Sequence, residues 1–180
     1  MKRLFILAVF ITCGFAPPKL VKTKLPEGIT VLLPSDWRPM DDLDFNERYP
    51  SVRAPIAAYT SPERLVDFSV NISATQWPDT DVEMARRFFK ATIMNTFDKV
   101  TIISEGVRDS HGKKIVYFEF NSRVNGTNAQ EGLNDPVLRY SYIQYLIESG
   151  KTRVFSFNCP QRLQQEWQET ARKMMLSVKV

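Results

Sequence analysis

Chemistry-bearing side chains are scarce in this sequence. Its 180 residues hold one histidine and two cysteines. So few ligands cannot build a zinc site of the usual Cys/His kind. They offer no ready nucleophile and base either. A thiolate at Cys159 would need a base within hydrogen-bond reach, and His111 sits in the turn sequence DSHGKK, far away along the chain. The seven glycines are spread singly, which excludes a glycine-rich phosphate loop. No Gly/Ser linker, repeat or low-complexity tract divides the chain. A large excess of one charge is missing as well. The 24 Lys and Arg against 20 Asp and Glu give +4, with basic pairs such as Arg86-Arg87, Lys113-Lys114 and Arg172-Lys173 scattered along the chain. Without a dense basic run, a nucleic-acid partner is not expected.

The apolar run that stands out is at the start. MKRLFILAVFITCGFA places Lys2 and Arg3 before apolar Leu4 to Ile11, then small residues at Cys13, Gly14 and Ala16. That is the order of a signal peptide over residues 1–16, and the run is shorter than the roughly 20 residues of a membrane span. Cleavage after Gly14 fits the small-residue rule, whereas Pro17 hinders cleavage after Ala16. Cys13 follows the run where a bacterial lipoprotein carries its acylated cysteine, which makes it the candidate lipidation site. The expectation is an exported protein, periplasmic or envelope-associated; soluble export is preferred to lipid anchoring, and membrane attachment, where it occurs, would run through a lipidated Cys13 alone. Loss of Lys2 and Arg3 leaves 22 basic residues against 20 acidic ones, or +2. Cys159 is then the sole thiol, so no intrachain disulfide is expected.

Residues 17–27 carry three prolines and read as an extended tether. A single domain over 28–180 follows. GITVLLP, APIAAYT and LVDFSVNISA read as strands, the last with Val66, Phe68, Val70, Ile72 and Ala74 alternating with polar residues. TDVEMARRFFKATIMNTF changes period. Ala85, Phe89, Ile93 and Phe97 recur every four residues with Val82 beside them, Thr80 and Glu83 have capping-box spacing, and Arg86 falls on the outer face. KVTIISEGV and KKIVYFEFNSRV form a hairpin through DSHG, and VLRYSYIQYLI turns at Ser149-Gly150 into TRVFSFNC. A second amphipathic helix closes the chain, with Leu163, Trp167, Ala171 and Met174 on its stripe and Pro160 suited to its first turn. The predicted fold is α+β: an antiparallel sheet of about six to seven strands flanked by two main helices.

Acidic groups are the remaining candidates for catalysis and metal binding. Asp42, Asp44 and Asn46 have the opening spacing of a calcium loop, but Glu47 and Arg53 stand where that loop needs Gly and a bidentate Glu. No metal and no other cofactor is therefore expected. Glu119, Asp67, Glu131 and Asp135 could serve a hydrolase only if they converged in space. Their alternation with apolar neighbours suggests solvent-facing strand positions. Cys159 shares a strand face with Phe155 and Phe157, which predicts a packed, protonated thiol. Tyr140 and Tyr142 share one face of their strand and Tyr145 takes the other. With Arg139, Trp37 and Tyr49 they are the candidate binding residues, since Tyr, Trp and Arg are enriched at recognition surfaces. The long segments 35–53 and 125–136 are the candidate binding loops.

ITVLLPSDW, a short strand ending in Pro34 and followed by Trp37, and the terminal TRVFSFNCPQRLQQEWQETARKMMLSVKV together resemble the Mog1/PsbP-like superfamily. The resemblance runs over about 28–180 by order of elements. It implies an antiparallel sheet crossed by the last helix, and it brings no shared catalytic residues. Members are mostly small accessory or binding proteins, some secreted or lipid-anchored. The expected function is thus an exported, non-enzymatic accessory or binding protein of the bacterial envelope, acting on a protein or a small polar ligand. Alternatives are an envelope hydrolase using carboxylates from strands and the 125–136 loop, and a purely structural envelope protein.

Overall fold

A computed structural model describes residues 18–48, 54–125, 136–148 and 150–180. Its elements are β1 (Leu20–Lys24), β2 (Thr30–Pro34), β3 (Arg38–Pro39), α1 (Asp42–Arg48), β4 (Ala57–Thr60), β5 (Asp67–Ile72), α2 (Val82–Thr96), β6 (Lys99–Ser110), β7 (Lys113–Val124), β8 (Val137–Glu148), β9 (Lys151–Pro160) and α3 (Gln164–Leu176). Seven strands pair antiparallel in the order β3-β4-β5-β9-β8-β7-β6, and β1 and β2 form a separate antiparallel pair. The expected α+β architecture is what the chain adopts.

Strand alternation sorts the core into two layers. Val116, Phe118 and Phe120 of β7 and Tyr145 and Ile147 of β8 point one way, where α2 covers them with Val82, Ala85, Phe89 and Ile93. The Phe89 ring stacks on Tyr145, centroids 3.7 Å apart and planes within 9°. Ile115 of β7, Tyr140, Tyr142 and Leu146 of β8 and Phe155, Phe157 and Cys159 of β9 point the other way. There α3 covers them with Ala171, Met174 and Met175, joined by Val31 and Leu33 of β2. Ser177 fixes β2 to the end of α3, its Oγ accepting the Leu32 amide at 2.8 Å and donating to the Met174 carbonyl at 2.6 Å. Both faces of the sheet are therefore covered, each by one helix.

The β6 strand changes parity midway. Its register against β7 shifts between Ile102 and Ser104, so Ile103 is the extra residue of a bulge. Val100 and Ile102 pack on the α2 side before the bulge, and Val107 does so after it. Glu105 also faces α2, within reach of Arg86 (3.4 Å) and Lys90 (2.8 Å). Ser104, Gly106 and Arg108 are thereby turned towards α3.

Several local expectations are corrected. Of the expected 17–27 tether, Leu20–Lys24 is not free but paired along β2, and Pro26–Gly28 forms a 3-10 turn with Glu27 at φ 57°. The Thr80/Glu83 capping box does not form. A 3-10 turn, Asp79–Asp81, precedes α2, and Thr80 Oγ1 reaches Asp81 instead. Pro160 ends β9 rather than opening a helix, with a 3-10 turn at Gln161–Leu163 leading into α3. Arg86 is not an idle outer residue, since it pairs with Glu83 and Glu105. Residues 35–48 are built around β3 and α1 rather than forming one long loop.

Candidate functional site

Two concavities open at the surface, one at an end of the sheet and one beside α3. The larger, an open pocket of about 610 Å³, lies where β8 begins and β5 and β9 come alongside. Arg64, Arg139 and Arg162 rim it, with Asp67, Asn158 and Cys159 deeper and exposed Leu65, Val137 and Leu138 at the lip. Asn158 donates to Asp67 Oδ1 at 3.1 Å and accepts from Ser141 Oγ at 2.8 Å, a polar floor built by cross-strand neighbours. Arg64 holds a left-handed backbone (φ 57°) and donates from Nε to Asp44 Oδ1 at 2.7 Å. Arg38 donates to Asp44 Oδ2 at 2.8 Å. Asp44 is fully buried. Burial pushes its carboxyl pKa up, but hydrogen bonds from the Asp41 amide, Arg64 and Arg38 outweigh burial and hold it below the usual carboxylate range. This buried carboxylate anchors α1 and orients Arg64 at the rim.

Cys159 forms part of the pocket wall yet is only 2 % exposed. Burial pushes its thiol pKa up to about 12, with Asp67 and Glu166 adding to the shift. The His111–Gly112 turn, both residues at positive φ, lies at the opposite end of the sheet. The register places Asn121 beside Tyr140 and Tyr140 beside Cys159, so eight β7 residues separate Cys159's level from Lys113 at the turn. That is roughly 26 Å of strand. Cys159 is a packed thiol, as its strand position predicted.

The second concavity, about 260 Å³, runs between α3 and the edge strand β6. Tyr117, Glu119 and Tyr142 form its floor, and Ser104, Arg108, Arg172 and Leu176 its sides. Tyr117 reaches across because Gly106 faces it. A Cβ on Gly106 would meet the Tyr117 hydroxyl at 3.0 Å. Glu119 is 2 % exposed, which corrects its expected solvent-facing position, since α3 covers that face. Its carboxylate accepts from Tyr140 Oη (2.9 Å), Gln168 Nε2 (2.6 Å) and Arg172 Nε (3.1 Å). Arg108 donates from Nη2 to Gln144 Oε1 (2.9 Å) and to the Met175 carbonyl (3.0 Å), and burial lowers its pKa. Burial also keeps the Tyr142 phenol neutral, pushing it up to about 12.

The candidate residues separate into surface and core. Arg139 is exposed at the pocket rim. Trp37 is buried against Phe157 and Trp167, centroids 6.3 and 5.6 Å away, so it packs under α3 rather than facing solvent. Tyr140 is wholly buried, its hydroxyl committed to Glu119 and its pKa raised chiefly by burial. Tyr142 is buried but reaches the groove floor. Tyr145 lies on the other face, as its alternation required. Tyr49, Cys13, Glu131 and Asp135 lie outside the described residues, as do residues 126–135 of the expected loop. The two described strand carboxylates do not converge. Asp67 on β5 and Glu119 on β7 stand three strands apart, roughly 14 Å, in different concavities. Arg108 and Arg172 were not anticipated. The available signal was a charged residue at an inward strand position, hidden by the bulge.

No family model and no curated sequence matches the chain. Among solved structures it is similar to the cyanobacterial PsbP (CyanoP) of Synechocystis, at 17 % identity and TM-score 0.61 over 97 % of this chain and 98 % of that one. It is similar to the Ran-binding protein Mog1p of Saccharomyces cerevisiae, at 13 % identity and TM-score 0.54 over 91 % and 96 %. It is also similar to LpqN of Mycobacterium tuberculosis, a protein involved in cell envelope biogenesis, at 12 % identity and TM-score 0.55 over 89 % and 90 %. At these identities the likeness concerns architecture, and the chain has the Mog1/PsbP-like fold.

Proposed function

We propose that this chain is an exported, non-enzymatic accessory or binding protein of the bacterial cell envelope, holding a protein or small polar partner at the arginine-rimmed pocket. The observation that carries the reading is the pocket itself. Three arginines and three exposed apolar residues surround its mouth, while the thiol in its wall is kept neutral by burial. Arginine with apolar side chains suits recognition, and a protonated, buried thiol does not suit nucleophilic attack. The leader order of residues 1–16 supports export. Fold neighbours whose names record Ran binding and cell envelope biogenesis support an accessory role.

Two measurements in the native host test it. Intact-mass analysis should find the chain in the envelope fraction without its leader, and an adduct on Cys13 would decide for lipid anchoring. A photo-crosslinking residue at Leu138 should give discrete adducts there, whereas one at exposed Arg87 on α2 should not. A cytosolic chain still beginning at Met1 contradicts export. Equal adducts from both positions contradict the pocket.

A further inference from the structure

The groove between α3 and β6 holds a cation, Arg108, that pairs with no carboxylate among the described residues. Its two hydrogen-bond acceptors are neutral, the Gln144 amide and the Met175 carbonyl. Both bonds use Nη2, and among the described residues neither Nη1 nor the buried Nε meets an acceptor. The Tyr117 and Tyr142 hydroxyls on the floor likewise have no hydrogen-bond acceptor among the described residues, and the rings stand 6.0 Å apart. The nearby carboxylate, Glu119, is already turned to Tyr140, Gln168 and Arg172. The groove is therefore rich in donors and poor in free acceptors. A half-buried guanidinium in that state is a receptor for an acceptor bearing negative charge.

We propose that this groove binds a carboxylate, with Arg108 Nη1 donating to one oxygen and the Tyr117 and Tyr142 hydroxyls donating to the other. Charge selects a carboxylate over a phosphate. Arg108 and Arg172 against Glu119 leave one surplus positive charge in the groove lining, which matches a monoanion, while a dianion would crowd the Glu119 carboxylate. The volume of about 260 Å³ admits a small organic acid or the terminal residue of a peptide. Gly106 belongs to the site as the residue whose missing side chain lets Tyr117 lie over β6. The site is separate from the arginine-rimmed pocket and does not depend on export.

The test is an NMR titration of the folded, isotope-labelled mature chain at constant ionic strength. The probes are sodium acetate, the tripeptide acetyl-Ala-Ala-Leu with a free C-terminus, the same tripeptide amidated, and inorganic phosphate. Saturable shifts are expected for acetate and the free-acid tripeptide at residues 104–108, 117, 142 and 172–176, and none for the amide. Tighter binding of the free acid than of acetate would assign the carboxylate to a chain terminus, and equal binding to a small acid. Arg108→Gln should weaken acetate binding about tenfold or more, and Arg87→Gln, on the exposed side of α2, should leave it unchanged. Should Arg108→Gln unfold, Gly106→Val, which displaces Tyr117 but keeps the charge, should still weaken binding. Three outcomes overturn the proposal: no saturable shift with either carboxylate, unchanged affinity in both groove variants, or phosphate bound more tightly than acetate.

Discussion

The two faces of the sheet are covered by helices of similar length but differ in chemistry. The α2 face is a compact apolar layer in which aromatic rings meet edge-on or stacked, and its ion pairs, Arg86 and Lys90 with Glu105, stand at the sheet edge. The α3 face has the larger apolar cluster, and set into it are a buried carboxylate, a half-buried guanidinium, two buried phenols and a buried thiol. Burying polar groups costs stability unless every one is paired, so a face that retains them is serving more than packing. The groove holding Arg108 and Arg172 opens beside α3, whereas the larger pocket lies at an end of the sheet and its floor, Asp67 and Asn158, points from the other face. The comparison teaches that α2 closes the fold, while α3 closes it and also frames a charged groove.

The sharpest break in that contrast is on α2. Phe89→Ala should destabilise by about 3–5 kcal/mol in urea unfolding, through lost burial and a cavity against Tyr145. Arg87→Ala, on the exposed side, should change stability little. Equal small effects would show that this face is not a packed layer.

On the α3 face, Glu119→Ala should cost about 2–3 kcal/mol, because the fully buried Tyr140 hydroxyl loses its acceptor and cannot reach water. Tyr140→Phe in that background should recover part of the loss. No recovery would mean that the carboxylate acts through something other than this hydrogen bond.

Alkaline pH tests burial on both faces, because burial also raises the Tyr140 phenol on the α3 side and the Tyr145 phenol on the α2 side. The Cys159 thiol and the Tyr142 phenol are both pushed up to about 12 in the fold, from 9.0 and 10.0. Below about pH 8 these groups are neutral, folded or unfolded, and add little pH dependence. Above that the unfolded chain ionises first, so stability should fall as pH rises from about 8 towards 12. The loss between about pH 8 and 10.5 should be on the order of a few kcal/mol over the thiol and the three phenols, and Cys159→Ala should remove about half of it. A stability that stays flat to pH 10.5 would show that the thiol is not buried in solution. The smallest effect concerns the tie between β2 and α3. Ser177→Ala should cost about 1 kcal/mol and loosen amide protection at Leu32 first.

Much of the fold was legible because period two and period four dominate local structure. Val66, Phe68 and Val70 gave one strand and its buried face, Ala85, Phe89 and Ile93 gave the α2 stripe, and Phe155, Phe157 and Cys159 gave the buried side of β9. The rest depended on pairing across distance. Leu20–Lys24 has no strong alternation and becomes a strand because β2 offers it an edge. Asp44 reads as one of several loop acids until Arg38 and Arg64 converge on it. Tyr140 and Trp37 looked like recognition residues by type, yet aromatic residues with one polar atom serve a core equally well. Arg108 was invisible because a one-residue bulge at Ile103 reverses which β6 side chains face α3. Strand alternation carries no signal for such a slip.

The reading as a binder rather than an enzyme rests on the state of the one thiol in the wall of the larger pocket. The rate at which iodoacetamide labels Cys159 in native protein, against urea-unfolded protein, at neutral pH tests that state directly. Burial and the raised pKa predict native labelling slower by orders of magnitude, limited by opening of the fold. Native labelling as fast as that of the unfolded chain would mean an accessible thiolate among Arg64, Arg139 and Arg162, and would contradict the account.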